Sequence, residues 1–384
     1  THGTAPENDP ENGGDLILYG ENSFNTAGHY SLYSLNLDGG MCVFVRSSTA
    51  TETVNPEPEY KTLSFTHDGS TDDQTEYTVN FTEETECDIL IVGGGGSGGT
   101  DDGAGGGAGG VVFAKSVSIP SGSYTVKVGK GGDSVIVNEQ PGNNGFSSSF
   151  LGAVALGGGG GGKGAVPAST DPNGKNGGSG GGGGFDDPVR NNFGTSIQSI
   201  DKTTYGNLYN YTNDKSNDFN IYGNNGGYGN TDGSGNADAM GGGGGGAGAV
   251  GYNGNSSDNE GKGGIGIDVS STFGNVGDNG YFGGGGGGGG DNTGGSGGLG
   301  GGGSGGGVRA GGLAIPEHGQ NNTGGGGGAL QWGTASATEY TGAGGSGIVI
   351  IRYKTTSIKH LPSIVAEDGA KSIELTNLVA WYKF

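Results

Sequence analysis

Apolar and polar residues alternate in short blocks over residues 60–156, with the two-residue period of β-strands. Turn signals bound the blocks, such as the Pro120-Ser121-Gly122 step between two of them. The pattern predicts strands at 61–66, 75–81, 86–92, 111–117, 123–128, 134–137 and 150–156, with a last apolar strand at 347–353. Because a short apolar strand cannot bury its faces alone, we expect the last strand to join the sheet formed by the first ones.

Residues 1–59 carry the same pattern more weakly after an acidic start. Strands are predicted at 16–19, 30–35 and 42–46, and Asp38-Gly39-Gly40 is a hairpin signal between the last two. The stiff Pro56-Glu57-Pro58-Glu59 step follows. We therefore divide the chain into an N-terminal short-strand segment (1–59), a main unit (60–354) and a C-terminal segment (355–384).

Runs of glycine separate the predicted strands of the main unit. They recur without a fixed period, so they do not indicate a solenoid, and they lack the Gly-X-Y triplets of collagen. No segment has the periodicity of an amphipathic α-helix, so we predict essentially no α-helix. The main runs are 93–99, 104–110, 157–164, 177–184, 241–248, 283–290, 294–307, 324–328 and 342–347.

Glycine contributes 99 of the 384 residues and proline 11, a composition that is typical of disordered chains. Disordered chains are also poor in aromatic residues, whereas this chain has 16 Tyr, 13 Phe and 2 Trp. Its apolar residues are segregated from the glycine runs instead of being mixed with them. The sequence therefore predicts an ordered fold.

Consecutive glycines have no side chains to bury, so any order among them must come from backbone hydrogen bonds. The polyproline-II conformation has three residues per turn and directs its N–H and C=O groups sideways. Helices of this kind can satisfy one another only at a separation that glycine permits. We expect an all-β fold plus a polyglycine-II helix bundle, in which a β-sandwich base carries the glycine lattice. Glycines expected inside that lattice include Gly93, Gly94, Gly95, Gly157, Gly181, Gly243, Gly286 and Gly326.

Several motifs follow one another in an order that resembles a known family. Cys87-Asp88-Ile89-Leu90-Ile91-Val92 leads into four glycines, and Gly241–Gly246 precedes Ala247-Gly248-Ala249-Val250. The series closes with Gly347-Ile348-Val349-Ile350-Ile351. Over roughly residues 60–354 the series resembles the glycine-rich domains of phage tail-fibre adhesins and giant-virus structural proteins. The resemblance implies polyglycine-II helices whose connecting loops bind a host receptor.

Two segments lie outside that pattern. Residues 185–222 interrupt the glycine runs with a long stretch rich in Asn, Asp and Tyr. Residues 378–384 (Leu-Val-Ala-Trp-Tyr-Lys-Phe) resemble the first strand of a concanavalin- or laminin-G-like jelly roll. The chain begins at Thr1 and stops within this strand-like pattern, so we expect it to be part of a longer protein.

The formal charge is −22, and such a polyanion repels phosphate backbones, so we expect no nucleic-acid partner. No apolar stretch is long enough to span a membrane. The two cysteines, Cys42 and Cys87, either form one bridge or stay free thiols. Four sequons permit N-glycosylation, at Asn80, Asn210, Asn255 and Asn321.

Motifs that resemble catalytic signatures arise here from glycine content alone. Any run of six glycines satisfies the dinucleotide-binding pattern, and Gly177-Gly178-Ser179-Gly180-Gly181 satisfies the nucleophile elbow, but no helix is predicted after either. The five histidines are too far apart to form a metal pair, and the paired aspartates lack the spacing of a calcium loop. We expect no enzyme activity, no metal and no cofactor.

Aromatic residues in the loops are the candidates for recognition, because rings among polar neighbours are typical of binding surfaces. An alternative is that the rings shield the outer glycine helices from water. The candidate residues are Phe193, Tyr205, Tyr209, Tyr211, Phe219, Tyr222, Trp332 and Tyr340.

We expect a non-catalytic fibre or adhesin scaffold on a virion or cell surface, in an extracellular setting. Its loops would bind a host glycan or protein receptor, and other virion or fibre proteins or further copies of the chain would be structural partners. One alternative is a spacer or capsid component that binds no receptor. Another is a glycan-active enzyme whose catalytic domain lies outside this sequence.

Overall fold

The structure, a computed structural model, describes most of the main unit and parts of both terminal segments. The described residues are 30–34, 43–46, 59–136, 140–164, 173–185, 192–230, 239–254, 261–290, 293–309, 312–331, 340–355, 365–368 and 371–373. The strands predicted at 16–19 and in the 378–384 segment lie outside them.

Strands dominate the regular secondary structure of the described residues, where helices are limited to a 3₁₀ helix (Lys202–Tyr205) and two short α-helices, α1 (Gly206–Tyr211) and α2 (Ser270–Phe273). Essentially no α-helix was predicted, and this is confirmed. The strands are β1 (Tyr30–Ser34), β2 (Val43–Arg46), β3 (Glu59–Thr66), β4 (Gln74–Phe81), β5 (Thr85–Val92), β6 (Val111–Ile119), β7 (Gly122–Gly129), β8 (Ser148–Phe150), β9 (Ala153–Ala155), β10 (Phe219–Tyr222), β11 (Ile267–Asp268), β12 (Tyr281–Phe282), β13 (Gly307–Arg309), β14 (Gly312–Ala314), β15 (Ile348–Thr355), β16 (Val365–Asp368) and β17 (Lys371–Ile373).

Two antiparallel sheets form the base of the main unit. Sheet one has the order β10-β6-β5-β15-β3, and sheet two has the order β17-β16-β4-β7-β8-β9. Strand β15 packs against β7 and β8, so the sheets face one another as a sandwich. The Phe65 and Tyr77 rings, one from each sheet, lie 5.3 Å apart between their centroids.

Alternation along the strands explains the core. In β4, Tyr77, Val79 and Phe81 are buried while the residues between them are less so. The end of β5 is buried on both faces, because a second apolar cluster covers the outer face of sheet one. There Phe273 and Phe282 pack over the sheet. Burying such a side chain contributes about 2 kcal/mol.

The last strand of the glycine-rich unit returns to the first ones, as predicted. Strand β15 inserts between β5 and β3, with Ile350 opposite Leu90 on one side and Ser64 on the other. Arg352 donates a hydrogen bond of 2.7 Å to the Asp88 carboxylate. Its guanidinium also lies 3.6 Å from the centre of the Tyr60 ring, so Arg352 contacts both neighbouring strands, β5 through Asp88 and β3 through Tyr60.

Three local predictions were incomplete or wrong. The strand predicted at 134–137 is absent over residues 134–136, where Val135 forms backbone hydrogen bonds with Thr341, accepting from its N–H and donating to its hydroxyl. The strand predicted at 150–156 is broken by a turn at Leu151-Gly152, since both residues have positive φ. Helix α1 and strand β10 were not predicted, and β10 forms the edge of sheet one next to β6.

Two compact units divide the chain. Pro58–Leu375 forms one, and Thr1–Glu57 with Thr376–Phe384 forms the other. In the second unit β1 and β2 pair as an antiparallel hairpin, which confirms the hairpin predicted there. In the first unit β16 and β17 extend sheet two beyond β4, within the segment interpreted as C-terminal.

Candidate functional site

The glycine runs leave the sandwich at the ends of its strands and bond to one another through their backbones. The run 93–99 follows β5, and 104–110 leads back into β6. Gly93, Gly96 and Gly99 donate hydrogen bonds of 3.0, 2.9 and 3.0 Å to the carbonyls of Gly110, Gly107 and Ala104. The run 93–99 therefore bonds to the same neighbour at every third residue, and because the partner's numbers fall as its own rise, these two runs are antiparallel.

The same run bonds to other neighbours from its remaining residues. Gly94 and Ser97 donate to Phe146 and Asn143, which belong to a second neighbour. The N–H groups of Gly95 and Gly98 donate to the carbonyls of Gly345 and Gly342, which belong to a third neighbour. A fourth neighbour, the segment 158–164, is parallel to the run, and its N–H groups donate to the carbonyls of Gly94, Ser97 and Thr100. Every backbone N–H in 93–100 is thus a donor.

Close approach of the runs leaves no room for side chains. A Cβ on Gly96 would overlap the carbonyl of Gly159, and one on Gly105 would overlap that of Gly286. The glycines singled out from the sequence share this feature: at each, a Cβ would meet a backbone oxygen inside van der Waals contact. They are Gly93, Gly94, Gly95, Gly157, Gly181, Gly243, Gly286 and Gly326.

Outer runs of the assembly keep glycine only where they face inward. In 293–299 the exposed residues are Thr293, Ser296 and Leu299, each three positions from the next. The segment 314–320 shows the same period, with Pro316 and Gly319 buried and the residues between them exposed. This period is visible in the sequence but was not among the predictions made from it.

At the edges of the glycine assembly, where a run has no neighbouring run on one side, amide side chains form hydrogen bonds with its backbone. The Asn144 Oδ1 atom accepts from the Gly160 N–H, and that of Asn225 accepts from the Ser196 N–H. The Gln198 side chain is both an acceptor and a donor, as a peptide group is. Its Oε1 accepts from the Leu156 N–H, and its Nε2 donates to the Val154 carbonyl. Such bonds satisfy backbone groups that no glycine run reaches.

The aromatic segment 205–222 packs against the edge of the sandwich. Tyr205 and Phe219 are 3 % and 0 % exposed, with ring centroids 5.6 Å apart, and Tyr209 lies 5.3 Å from Phe219 on another side. Burial raises the pKa of Tyr205, while the hydrogen bond from Gln198 lowers it. These rings form a small core under β10.

The other aromatic candidates differ in exposure. Phe193, Tyr211 and Tyr222 are partly buried, and Tyr340 is 45 % exposed. Tyr340 precedes Thr341, which bonds to Val135 at the end of the runs farthest from the sheets. Trp332 lies outside the described residues. The structure thus does not bring the eight candidates together on one surface within the part that it describes.

The turn at the far end of the first two runs is buried. Asp101 and Asp102 are 6 % and 3 % exposed and both have positive φ. Thr100 donates from its hydroxyl to the Asp101 carboxylate and to the Gln140 carbonyl. These polar residues therefore hold neighbouring segments instead of facing water.

Modification candidates are distributed over several surfaces. Asn80 lies within β4, Asn210 is exposed on α1, and Asn321 is exposed in a turn where its Oδ1 accepts from the Ser346 N–H. Asn255 and Cys42 lie outside the described residues. Cys87 is a buried free thiol, and burial raises its pKa.

The described residues contain neither a cluster of metal ligands nor a membrane-spanning helix. No group of three or more His, Cys, Asp and Glu side chains is arranged to hold a metal ion in the part of the chain that the structure covers. Among the same residues, no helix has the length and apolar character needed to cross a bilayer.

Comparison with known proteins identifies the family. A family model described as "Glycine-rich domain" matches residues 71–354, which is most of the chain. No curated protein matches the sequence. The match begins just before β4 and ends within β15, so it includes β4 to β14, most of β15 and all the glycine runs described above, whereas β3 precedes it. The chain therefore belongs to the glycine-rich domain family.

Proposed function

We propose that this protein is a non-catalytic scaffold on the surface of a virion or cell. In this proposal its glycine runs form a polyglycine-II lattice, and the loops at the far end of the lattice attach to a host glycan or protein receptor. Other virion or fibre proteins would hold the base. The observation that carries the proposal is the three-residue period of the backbone hydrogen bonds between runs.

That period supports the polyglycine-II conformation. A helix with three residues per turn directs successive N–H groups to three different neighbours and makes no bonds within itself. The run 93–100 follows this scheme, with Gly93 and Gly96 bonded to one neighbour and Gly94 and Ser97 to the next. An α-helix or a strand would give a different order of partners.

A rigid lattice is suited to the presentation of loops, because recognition residues usually lie on loops held by a fixed framework. Several runs bond side by side from the sandwich to the far end, where the exposed Tyr340 lies. Tyrosine buries a large ring and offers a hydroxyl, which suits it to polar ligands such as glycans.

A second candidate function is that of a structural spacer with no receptor site in this chain. The burial of Tyr205 and Phe219 favours it, since these two rings have no surface to offer a partner. Their packing agrees with the shielding role considered as the alternative for the aromatic segment.

Binding of the labelled full chain to a glycan array and to intact cells tests the proposal. Tyr340→Ala removes an exposed ring at the far end, and Tyr60→Ala is a matched control because both rings are 45 % exposed and Tyr60 lies in β3 of the sandwich. We expect binding that falls at least about tenfold with Tyr340→Ala and does not change with Tyr60→Ala. Point variants are preferable to a deletion of 186–221, which would remove the buried Leu208 and Phe219.

Absence of binding in both assays would favour the spacer. If the two tyrosine variants lose binding equally, the ligand does not dock at the far end, and the assignment of that end as the receptor site is wrong.

A further inference from the structure

Asn-Gly pairs recur in the glycine assembly and in one turn outside it. The pair is chemically labile because glycine has no side chain to shield its backbone nitrogen, which can therefore attack the carboxamide of the preceding asparagine. Whether a given pair reacts in a folded protein depends on what holds these two groups. Pairs in the described residues include Asn144-Gly145, Asn176-Gly177, Asn225-Gly226, Asn253-Gly254 and Asn279-Gly280.

The pair at Asn144 is bonded to a neighbouring run through both of its residues. The Asn144 Oδ1 atom accepts a hydrogen bond of 2.9 Å from the Gly160 N–H. The next residue, Gly145, donates a bond of 2.9 Å to the Gly158 carbonyl of the same run. We call this two-bond arrangement the Asn-Gly clamp. It binds both of the groups that would have to react to a second segment of the chain.

Three further pairs form the same clamp. For Asn253-Gly254, Tyr228 is the partner at both residues: its N–H donates to the Asn253 Oδ1 atom, and its carbonyl accepts from the Gly254 N–H. The segment 194–196 binds Asn176-Gly177 and Asn225-Gly226 through equivalent bonds. In every clamp the asparagine and its donor are at least 16 residues apart in the sequence. A clamp therefore opens only when two segments of the assembly separate.

Asn279-Gly280 lies in a tight turn and has no clamp. Asn279 and Gly280 have φ values of 51° and 91°, and Asp278 pairs with Tyr281 across them, as in a type I′ hairpin turn. Asn279 is exposed, and its Nδ2 atom donates a bond of 3.3 Å to the Asp278 carboxylate. Within the described residues, no group donates a hydrogen bond to the Asn279 Oδ1 atom.

The Gly280 N–H is bonded only within its own loop. It donates a bond of 2.9 Å to the carbonyl of Val276, four residues earlier, and residues 274–277 are exposed. This bond can open by a local movement of the loop while the glycine runs stay bonded to one another. Asn144 is exposed as well, so exposure does not distinguish the two asparagines, whereas the clamp does.

We propose that Asn279 is a site of spontaneous deamidation in the folded protein, whereas the clamped asparagines are protected. The Gly280 backbone nitrogen loses its proton and forms a bond to the Asn279 Cγ atom. The bond from Cγ to Nδ2 breaks, and the leaving nitrogen takes up a proton and departs as ammonia. Water then adds to one of the two carbonyls of the resulting cyclic imide and opens the ring, which gives aspartate or isoaspartate at position 279.

Either product changes a turn that positions part of the core. Strand β12 follows the turn directly, and its Phe282 is 0 % exposed in the cluster that covers the outer face of sheet one. Aspartate places a second carboxylate next to Asp278, and isoaspartate lengthens the main chain between Asp278 and Tyr281. The turn is therefore the point at which chemical ageing first weakens this part of the fold.

Peptide mapping of the full chain by mass spectrometry tests the proposal. The protein is incubated folded at mildly alkaline pH, which favours the deprotonated backbone nitrogen, and in parallel in denaturant. We expect Asn279 to deamidate at least about tenfold faster than Asn144 in the folded protein, with isoaspartate among the products. In denaturant the two rates should agree within about threefold, because glycine follows both residues and no clamp remains.

A variant that opens one clamp tests its protective role. Ser196→Pro removes the N–H that the Asn225 carboxamide binds, and Ser196→Ala, which keeps this N–H, is the matched control. We expect deamidation at Asn225 to accelerate at least about threefold in Ser196→Pro alone, since only one of the two bonds of the clamp is lost. Thermal melts by circular dichroism verify folding, and if Ser196→Pro does not fold, the comparison of Asn279 with Asn144 decides. Equal rates at Asn279 and Asn144 in the folded protein, no reaction at Asn279, or an unchanged rate at Asn225 in folded Ser196→Pro would each overturn the proposal.

Discussion

A single methyl group separates glycine from alanine, and inside the glycine assembly that difference decides whether two backbones can touch. At Gly96 an added Cβ would lie against the carbonyl carbon and oxygen of Gly159, both of which are backbone atoms. Neither run can yield, because each is bonded to several others. Glycine is therefore required here for packing, whereas in loops it usually provides conformational freedom.

Gly96→Ala should destabilise the fold by about 3 kcal/mol or more, because it forces apart two hydrogen-bonded backbones. Gly290→Ala is the matched control, since the nearest atom to its Cβ would be the Thr293 carbonyl oxygen at 3.1 Å. We expect that variant to change stability by less than about 1 kcal/mol, because alanine also restricts the unfolded chain. Chemical denaturation followed by circular dichroism measures both; equal effects would contradict tight packing at Gly96.

Cys87 should not react with iodoacetamide while the protein is folded. The thiol is 1 % exposed, and its pKa is raised first by burial and then by the charges of Asp88 and Glu86. Because the thiolate is the nucleophile, a raised pKa suppresses alkylation at neutral pH. Mass spectrometry in a Cys42→Ser background should find Cys87 modified only in denaturant. Rapid labelling without denaturant would show that β5 opens or that the thiol is accessible.

Elements at the sandwich end of the molecule depend on side-chain interactions that glycine cannot make. In the turn between β3 and β4, the Asp68 carboxylate accepts hydrogen bonds from the Ser70 N–H and the Thr75 hydroxyl. These bonds, chiefly those from Ser70, lower the pKa of Asp68 from 3.8 to about 2. The ionised form is thus favoured by folding, and its contribution to stability is complete above pH 3.8 and lost towards pH 2.

Asp68→Asn should therefore lower the stability at neutral pH and make it less dependent on pH between 3.8 and about 2. Asp72→Asn removes a charge from the same turn and controls for the change in net charge. Thermal melts of the three proteins at several pH values in that window give the comparison. If wild type and Asp68→Asn lose stability in parallel as the pH falls, the turn does not hold Asp68 ionised.

Strands of the sandwich could be predicted from the sequence because one face of each is buried. The predictions for 75–81 and 111–117 lie within β4 and β6, and the alternation that revealed β4 is its burial pattern. Strand β10 could not be predicted in this way, since three of its four residues are only partly buried. It is specified by its pairing with β6, a contact between distant parts of the chain.

The candidate site could be predicted only in part, for a related reason. Composition identifies aromatic residues, but exposure depends on what they pack against, and the sequence assigned the buried Phe219 and the exposed Tyr340 to the same class. By contrast, the spacing of Thr293, Ser296 and Leu299 was available in the sequence. Non-glycine residues at every third position of a run indicate one exposed side, and this rule distinguishes outer runs from inner ones.

At the scale of the whole molecule, the glycine assembly must form collectively. A single run gains no internal hydrogen bonds and loses more backbone entropy than any other sequence of equal length. Order is favourable only when several neighbours are present, as for 93–100, whose donors reach three segments including 140–146 and 342–345. Those segments are distant in sequence, so folding is expected to be slow for the size of the domain.

Amide hydrogen exchange measured residue by residue by NMR tests this collective order. Every N–H in 93–100 is a donor, so we expect uniform protection there, at least about a thousandfold over an unstructured chain. In the outer run 293–299, Gly295 and Gly298 donate inward, whereas the N–H groups of Ser296 and Leu299 donate no hydrogen bond within the described residues. Exchange in 293–299 should therefore be slow at every third residue and fast between. Fast exchange throughout 93–100 would mean that the glycine runs are not a lattice, because lateral bonds are the only interactions that can hold them.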